Sequence, residues 1–140
     1  MKDRNIWLKQ MDGKDSIGKE ECPFCPEKSD NCGIIKKFKN WYIKKNLYAY
    51  NGINNHLLLI PYRHIEHTKF LNKEELIELA EIYEFIEKYF SSENYFSFIR
   101  ETNGGKSIKH IHYHYLPGVL YSSKMEEIME DQHKILKEKN

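Results

Sequence analysis

The chain has 140 residues, 40% of them hydrophobic and 31% charged, with Lys+Arg 22 against Asp+Glu 21 and a net charge of +1. Such a composition fits one globular domain over residues 1–140, long enough to bury a core, and the charge balance gives no reason to expect nucleic acid or a membrane surface as partner. No apolar run approaches the ~20 residues of a membrane span, and the opening MKDRNIWLKQMDGKD lacks the apolar segment of a signal peptide, so a cytoplasmic protein is expected.

Residues 1–20 read as a short leading helix or an extended arm. Residues 22–33, with Cys22-Pro-Phe-Cys25 and Cys32, read as a knuckle-like loop. Three cysteines in this arrangement fit a metal clip better than a disulfide framework, with Cys32 by itself a buried thiol. Trp41 to Tyr50 has the aromatic and β-branched content of one or two short strands. Asn51-Gly52 and Asn54-Asn55 are turn residues. His56 to Ile60 is an apolar strand stopped by Pro61. A helix starts after Asn72, an N-cap that Glu75 completes as a capping box, and runs to Phe90. Its periodicity predicts Leu76, Leu79, Ala80, Tyr83, Ile86 and Phe90 facing the core. Tyr95 to Arg100 reads as a further strand and Thr102-Asn103-Gly104-Gly105 as a loop. Residues 122–138 read as a final amphipathic helix, with Met125, Ile128, Met129, Ile135 and Leu136 on its apolar side.

The stretch KHIHYHYLP, residues 109–117, places His110, His112 and His114 at alternate positions. In a strand these would share one face, with His110 and His114 about 13 Å apart at Cα. A Zn–N bond is only about 2 Å long, so one ion cannot readily take all three, and at least one imidazole is left for acid, base or nucleophilic chemistry. Cys22 and Cys25 are half of a zinc site. With His64 and His110 they would form a closed, four-coordinate and therefore structural centre, with His67 competing for the place of His64 and Cys32 able to replace one ligand. Gly104-Gly105-Lys106-Ser107 is not a P-loop, since Arg100 stands where its first glycine would be. A Gly-Gly loop entering a strand can still turn backbone N–H groups toward a phosphate.

Four blocks in order resemble the histidine-triad (HIT) family: ECPFC of its zinc-bearing members, HLLLIPYRHI, GKSIKHIHYH and the signature HIHYHYL, covering roughly residues 20–120. The resemblance implies an α+β, HIT-like fold: a mostly antiparallel sheet with a long helix between the two hallmark strands, usually paired as a homodimer. It implies an enzyme, a nucleotide hydrolase or nucleotidyltransferase acting at the α-phosphate of a dinucleoside polyphosphate or nucleoside phosphoramidate. In that reading His112 attacks phosphorus and carries a covalent nucleotidyl group, His56 hydrogen-bonds and orients it, and His114 and Ser107 contact phosphate or the leaving group. Asn46 contacts ribose, Gly105 and Lys106 lie along the nucleotide, and Cys22, Cys25, His64 and His110 hold structural Zn2+. Some similarity to the diadenosine-polyphosphate-acting members is present in NLYAYNGINNH. The alternatives are a nucleotide-binding module without turnover, and a zinc-binding interaction protein whose histidines are all ligands.

Overall fold

The structure is a computed structural model and describes residues 17–26 and 32–139. The expected leading arm falls mostly outside those residues, as does part of the cysteine loop.

Five strands form one antiparallel sheet: β1 (Ile34–Lys37), β2 (Trp41–Lys45), β3 (Leu57–Pro61), β4 (Tyr95–Ile99) and β5 (Tyr113–Pro117), in the spatial order β1-β2-β3-β5-β4. The helix α1 (Lys73–Phe90) carries the chain from β3 to the edge strand β4, and β5 returns between them. A second helix, α2 (Ser122–Lys139), follows β5.

β3 lies in the middle, and all five of its residues are buried. That explains an unbroken LLLIP run where a half-buried strand would alternate. Leu57 and Leu59 join Trp41, Ile43 and Tyr115 against Leu79, Ile82, Ile86 and Phe90 of α1. Leu58 and Ile60 face the other way and pack with Tyr42, Cys22, Phe24, Cys25 and Ile108. One sheet face is therefore covered by the helix and the other by the cysteine knuckle. Residue 17 adds a short parallel bridge beside Ile108, exchanging backbone bonds with Ser107 and Lys109 at 2.8 Å each.

The capping box at α1 is present. Asn72 Oδ1 accepts from the Glu75 backbone at 2.9 Å, and Glu75 Oε1 accepts from the Asn72 backbone at 2.8 Å. The buried stripe is Glu75, Leu79, Ile82, Ile86 and Phe90, whereas Leu76, Ala80 and Tyr83 of the expected stripe are exposed. The helix is rotated because Glu75 can be buried: Arg63 Nη2 and Nε reach its carboxylate at 2.7 and 3.1 Å. Ser91 ends the helix with φ 57°, its N–H bonded to the carbonyls of Glu87 and Lys88.

Three further expectations need correction. The edge strand β1 was not anticipated. Its IIKK sequence has no alternation to mark it, and pairing with β2 creates it, with an irregularity between Ile34 and Lys36. The histidine run enters the sheet late: β5 begins at Tyr113, so only His114 of the three lies in a strand. The lead-in is instead held by Ile111 N–H donating to Ile65 O at 2.7 Å. Finally, α2 forms as expected, but its residues from Ser122 through Leu136 are all exposed, Ile128 and Met129 at 48% and 52%. Among the described residues no helix is long and apolar enough to cross a membrane.

Candidate active site and metal centre

The knuckle, the turn after β3 and the lead-in to β5 meet behind the sheet. There Cys22, Cys25, His64 and His110 bring one ligand atom each within 4.8 Å of one another. His110 Nδ1 lies 3.4 Å from Cys22 Sγ and 3.6 Å from Cys25 Sγ, and His64 Nδ1 lies 3.3 Å from Cys25 Sγ. Bonds of ~2.3 Å to sulfur and ~2.0 Å to nitrogen at a tetrahedral angle put the two atoms about 3.5 Å apart, so the spacings match the edges of a zinc tetrahedron.

Both imidazoles are turned to ligate. His110 Nε2–H donates to Pro61 O at 2.7 Å, and His64 Nε2 pairs with the Glu66 carboxylate at 2.8 Å. Each therefore carries its proton on Nε2 and directs the Nδ1 lone pair at the thiols, the outer-shell arrangement of metal-binding histidines. Burial pushes His110 down to about 4, against the opposing pull of the Pro61 carbonyl. The bond from His64 holds the Glu66 carboxyl below its ordinary value. The donor set fits a metal ion with four protein ligands. His67, the competing ligand, instead caps the short turn Thr68–Phe70 by accepting from the Lys69 backbone at 2.9 Å. Cys32 is exposed rather than buried, and it lies outside the cluster.

His112 and His114 stand on the same side of the sheet, 8% and 6% exposed. His112 Nδ1–H donates to His110 O at 2.8 Å, which leaves the lone pair on Nε2. Burial lowers its pKa to about 4. The His110 carbonyl opposes this, and the charges of Lys106 and Arg100 add to it. The imidazole is therefore neutral near pH 7. His56, just ahead of β3, places Nε2 2.7 Å from His114 Nδ1. The bond expected toward His112 is thus made with His114. The Tyr50 backbone N–H approaches His56 Nδ1 at 3.4 Å, which makes that nitrogen the acceptor. His56 then donates through Nε2, and His114 holds its own proton on Nε2. Phe98 stacks flat on His114, centroids 4.5 Å apart and 9° between planes.

The remaining expected residues divide. Asn46 lies against His56, its Nδ2 at 3.5 Å from both ring nitrogens, while its Oδ1 accepts from the Tyr48 backbone at 3.0 Å. Gly105 has φ 79°, a left-handed turn that suits glycine, and is exposed beside the histidines' approach, as is Ser107. Lys106 is turned inward: its Nζ donates to Glu66 O at 2.8 Å, with Lys109 O at 3.3 Å and Asn103 Oδ1 at 3.4 Å. It bolts the glycine loop to the metal turn instead of lying along a nucleotide. Burial lowers its pKa, opposed by the charge of Glu66. Sequence reasoning missed Arg100. The ladder pairs Phe98 with His114 and ends at Ile99 with Tyr113; Arg100 follows β4 directly, its guanidinium carbon 5.2 Å from the Phe98 ring centre, and its charge acts on His112. The period-2 alternation of YFSFIR was the available signal.

A family model described as "Scavenger mRNA decapping enzyme C-term binding" matches residues 21–134. A HIT family hydrolase from Legionella pneumophila Philadelphia 1 is 26% identical, with a TM-score of 0.51, over 63% of this chain and 82% of that one. A HIT family hydrolase from Clostridium thermocellum is 24% identical, with a TM-score of 0.58, over 72% and 93% of the two chains. The diadenosine triphosphate hydrolase of Plasmodium falciparum, solved with cyclomarin A, is 21% identical, with a TM-score of 0.57, over 97% of each. No curated protein matches the chain. The last two likenesses establish the α+β fold, and with a family model spanning residues 21–134, the chain belongs to the histidine-triad family, under the model described as scavenger mRNA decapping enzyme C-term binding.

Proposed function

We propose that the protein is a nucleotide hydrolase or nucleotidyltransferase that cleaves at the α-phosphate of a nucleotide conjugate through a nucleotidyl group held on His112. The observation that carries this reading is the tautomer of His112. Its Nδ1–H is tied to the His110 carbonyl at 2.8 Å, and Nε2 presents a lone pair. That is what a nitrogen nucleophile needs at neutral pH. The His112 Nε2 lone pair attacks phosphorus, and the bond from phosphorus to the leaving group breaks with its electron pair. The proton on His114 Nε2, set there by the His56 and Tyr50 bonds, goes to the departing atom. Water or another acceptor then attacks phosphorus and passes its proton to His114 Nε2, which is restored; the P–N bond breaks, and His112 regains its lone pair. Ser107 and the Gly105 backbone supply donors toward the phosphoryl oxygens, and Asn46 contacts the ribose. Most of the catalysis is positioning and electrostatics.

Cys22, Cys25, His64 and His110 would hold zinc, which supplies structural cross-linking and takes no part in the chemistry, because all four positions are filled by protein. Thiolate ligation fits the reducing cytoplasm. The protein works as a single domain and pairs as a homodimer through the outer side of α1, where Leu76, Ile77 and Tyr83 are 52%, 65% and 46% exposed.

The test is turnover of a nucleoside phosphoramidate and a dinucleoside polyphosphate by wild type and His112→Ala, with mass spectrometry of quenched enzyme. The expected results are a nucleotidyl adduct on His112 and a loss of several orders of magnitude in the variant. Wild-type turnover by His112→Ala, or an adduct on His114, would sink the assignment.

A further inference from the structure

We propose that Arg100 binds the phosphate chain of the leaving group, so that this site prefers a dinucleoside polyphosphate over a phosphoramidate; the inference rests on the reading of His112 given above. Four observations converge on it. Arg100 is the first residue past β4 and His112 the last before β5, so both lie just beyond the final Ile99–Tyr113 pair at the same end of the ladder. Its guanidinium carbon lies 5.2 Å from the Phe98 ring centre, and Phe98 stacks in turn on His114. Its side chain also runs past Gly105, where an added Cβ would come within 3.1 Å of Nε and 3.2 Å of Cδ. The guanidinium is thus held by a ring and a backbone, neither of which consumes its donors. Among the described residues no carboxylate or carbonyl engages it. The next residue, Glu101, takes the Thr68 hydroxyl at 2.8 Å, and Glu66 is committed to His64. A planar, permanently charged fork without a carboxylate partner, beside a buried nucleophile, is built for phosphate oxygens.

Position decides which phosphate. His112 and His114 are buried, so the phosphorus under attack sits deep. Arg100 is half-buried beside exposed Gly104 and Gly105, nearer the rim. The β3 side of the triad holds His56 and Asn46, the assigned ribose end. Arg100 comes from β4, across β5 from them. A nucleotide with its ribose toward β3 and its phosphorus at His112 sends its leaving group past Arg100. An amine leaving group offers that cation nothing, whereas a phosphate chain offers it several oxygens.

The experiment compares wild type, Arg100→Gln and Arg100→Lys on diadenosine triphosphate and adenosine 5′-phosphoramidate, with melting curves to confirm folding. Calorimetric binding of ATP and AMP is measured alongside. Arg100→Gln is expected to lower kcat/KM for the triphosphate by about 100-fold and for the phosphoramidate by less than about 10-fold, the loss of a charge-assisted contact falling on one substrate. Arg100→Lys, with the charge but not the fork, should fall between. Equal losses on both substrates, or no loss on either, overturn the proposal. If wild type turns over neither substrate, the enzymatic reading fails and binding decides Arg100 separately. A larger loss of affinity for ATP than for AMP in Arg100→Gln sustains the phosphate-chain role, and equal losses reject it.

Discussion

The ion pair between Arg63 and Glu75 should respond unequally to removal of its two ends. Arg63 lies two residues past β3 and precedes the candidate ligand His64, so this pair fixes the turn that carries His64 to the start of α1. Glu75 is 2% exposed by its side chain, and Arg63 is 49% exposed. The carboxylate accepts from Arg63 Nη2 at 2.7 Å, from Arg63 Nε at 3.1 Å and from the Asn72 backbone at 2.8 Å. Glu75→Gln removes the buried charge and leaves a guanidinium that water can reach. Two charge-assisted bonds are lost, discounted because half of Arg63 is already solvated, for about 1–2 kcal/mol. Arg63→Gln leaves the buried carboxylate with the Asn72 N–H as donor. An uncompensated buried charge costs more, about 3 kcal/mol at pH 7. Urea unfolding at constant m-value reads the difference. The pH dependence sharpens it. In wild type, burial raises the Glu75 pKa, but the bonds from Arg63 and Asn72 and the Arg63 charge outweigh that and hold it below its ordinary 4.5. The folded value lies below the unfolded one, so its contribution is complete above about 4.5 and is lost as pH falls through the folded value. In Arg63→Gln burial dominates, the folded value rises above the unfolded one, and protonation favours folding. The deficit of that variant should therefore shrink from pH 7 toward pH 4. Equal costs for the two variants, or a deficit independent of pH, would refute the account.

Glu66→Ala removes the partner of His64 Nε2 and should weaken metal retention by about 10–100-fold in a chelator competition; unchanged affinity would remove Glu66 from the outer shell. Lys106→Met strips the donor from three oxygens, one of them the Glu66 carbonyl at 2.8 Å, and should cost about 1–3 kcal/mol in denaturant unfolding while KM changes little; a large rise in KM without loss of stability would restore it to the nucleotide. Ile77→Lys, at a side chain 65% exposed, should shift sedimentation from dimer to monomer with under about 0.5 kcal/mol lost from the protomer; a wild-type monomer at high micromolar concentration would end the dimer proposal. His110→Ala should lower metal content and melting temperature together, and His112→Ala should leave both near wild type, read by metal analysis and calorimetry.

Much of this was written into local chemistry. Asn72 and Glu75 announce the start of α1 because a capping box is made by residues three apart, and LLLIP announces a strand because no other element buries four apolar neighbours so cheaply in length. The Cys-x-x-Cys pair and the histidine run likewise showed their residue types, although the choice of His64 over His67 required the fold. What stayed hidden depends on pairing across the chain. Leu76 and Ile82 are equally apolar, and only the burial of Glu75 under Arg63 turns Ile82 inward. Which nitrogen of each histidine holds the proton is decided by Pro61 O, Glu66, His110 O and the Tyr50 amide, none of which is an imidazole. Arg100 looked like the end of a strand until the fold set its side chain beside Gly105 and the Phe98 ring. The apolar side of α2 was legible from its periodicity, yet Met125, Ile128, Met129, Ile135 and Leu136 stay exposed along it.

The central place of β3 has a consequence for how the site breathes. To free its amides for hydrogen exchange, α1 must leave one face and the cysteine knuckle the other, so Leu57 to Ile60 should exchange only when the whole protein unfolds. Tyr95 to Ile99, on an edge with one neighbour, can open locally. His56 and the Pro61 carbonyl that steadies His110 are thus mounted on the slowest clock in the molecule, whereas Arg100 rides on one of the fastest.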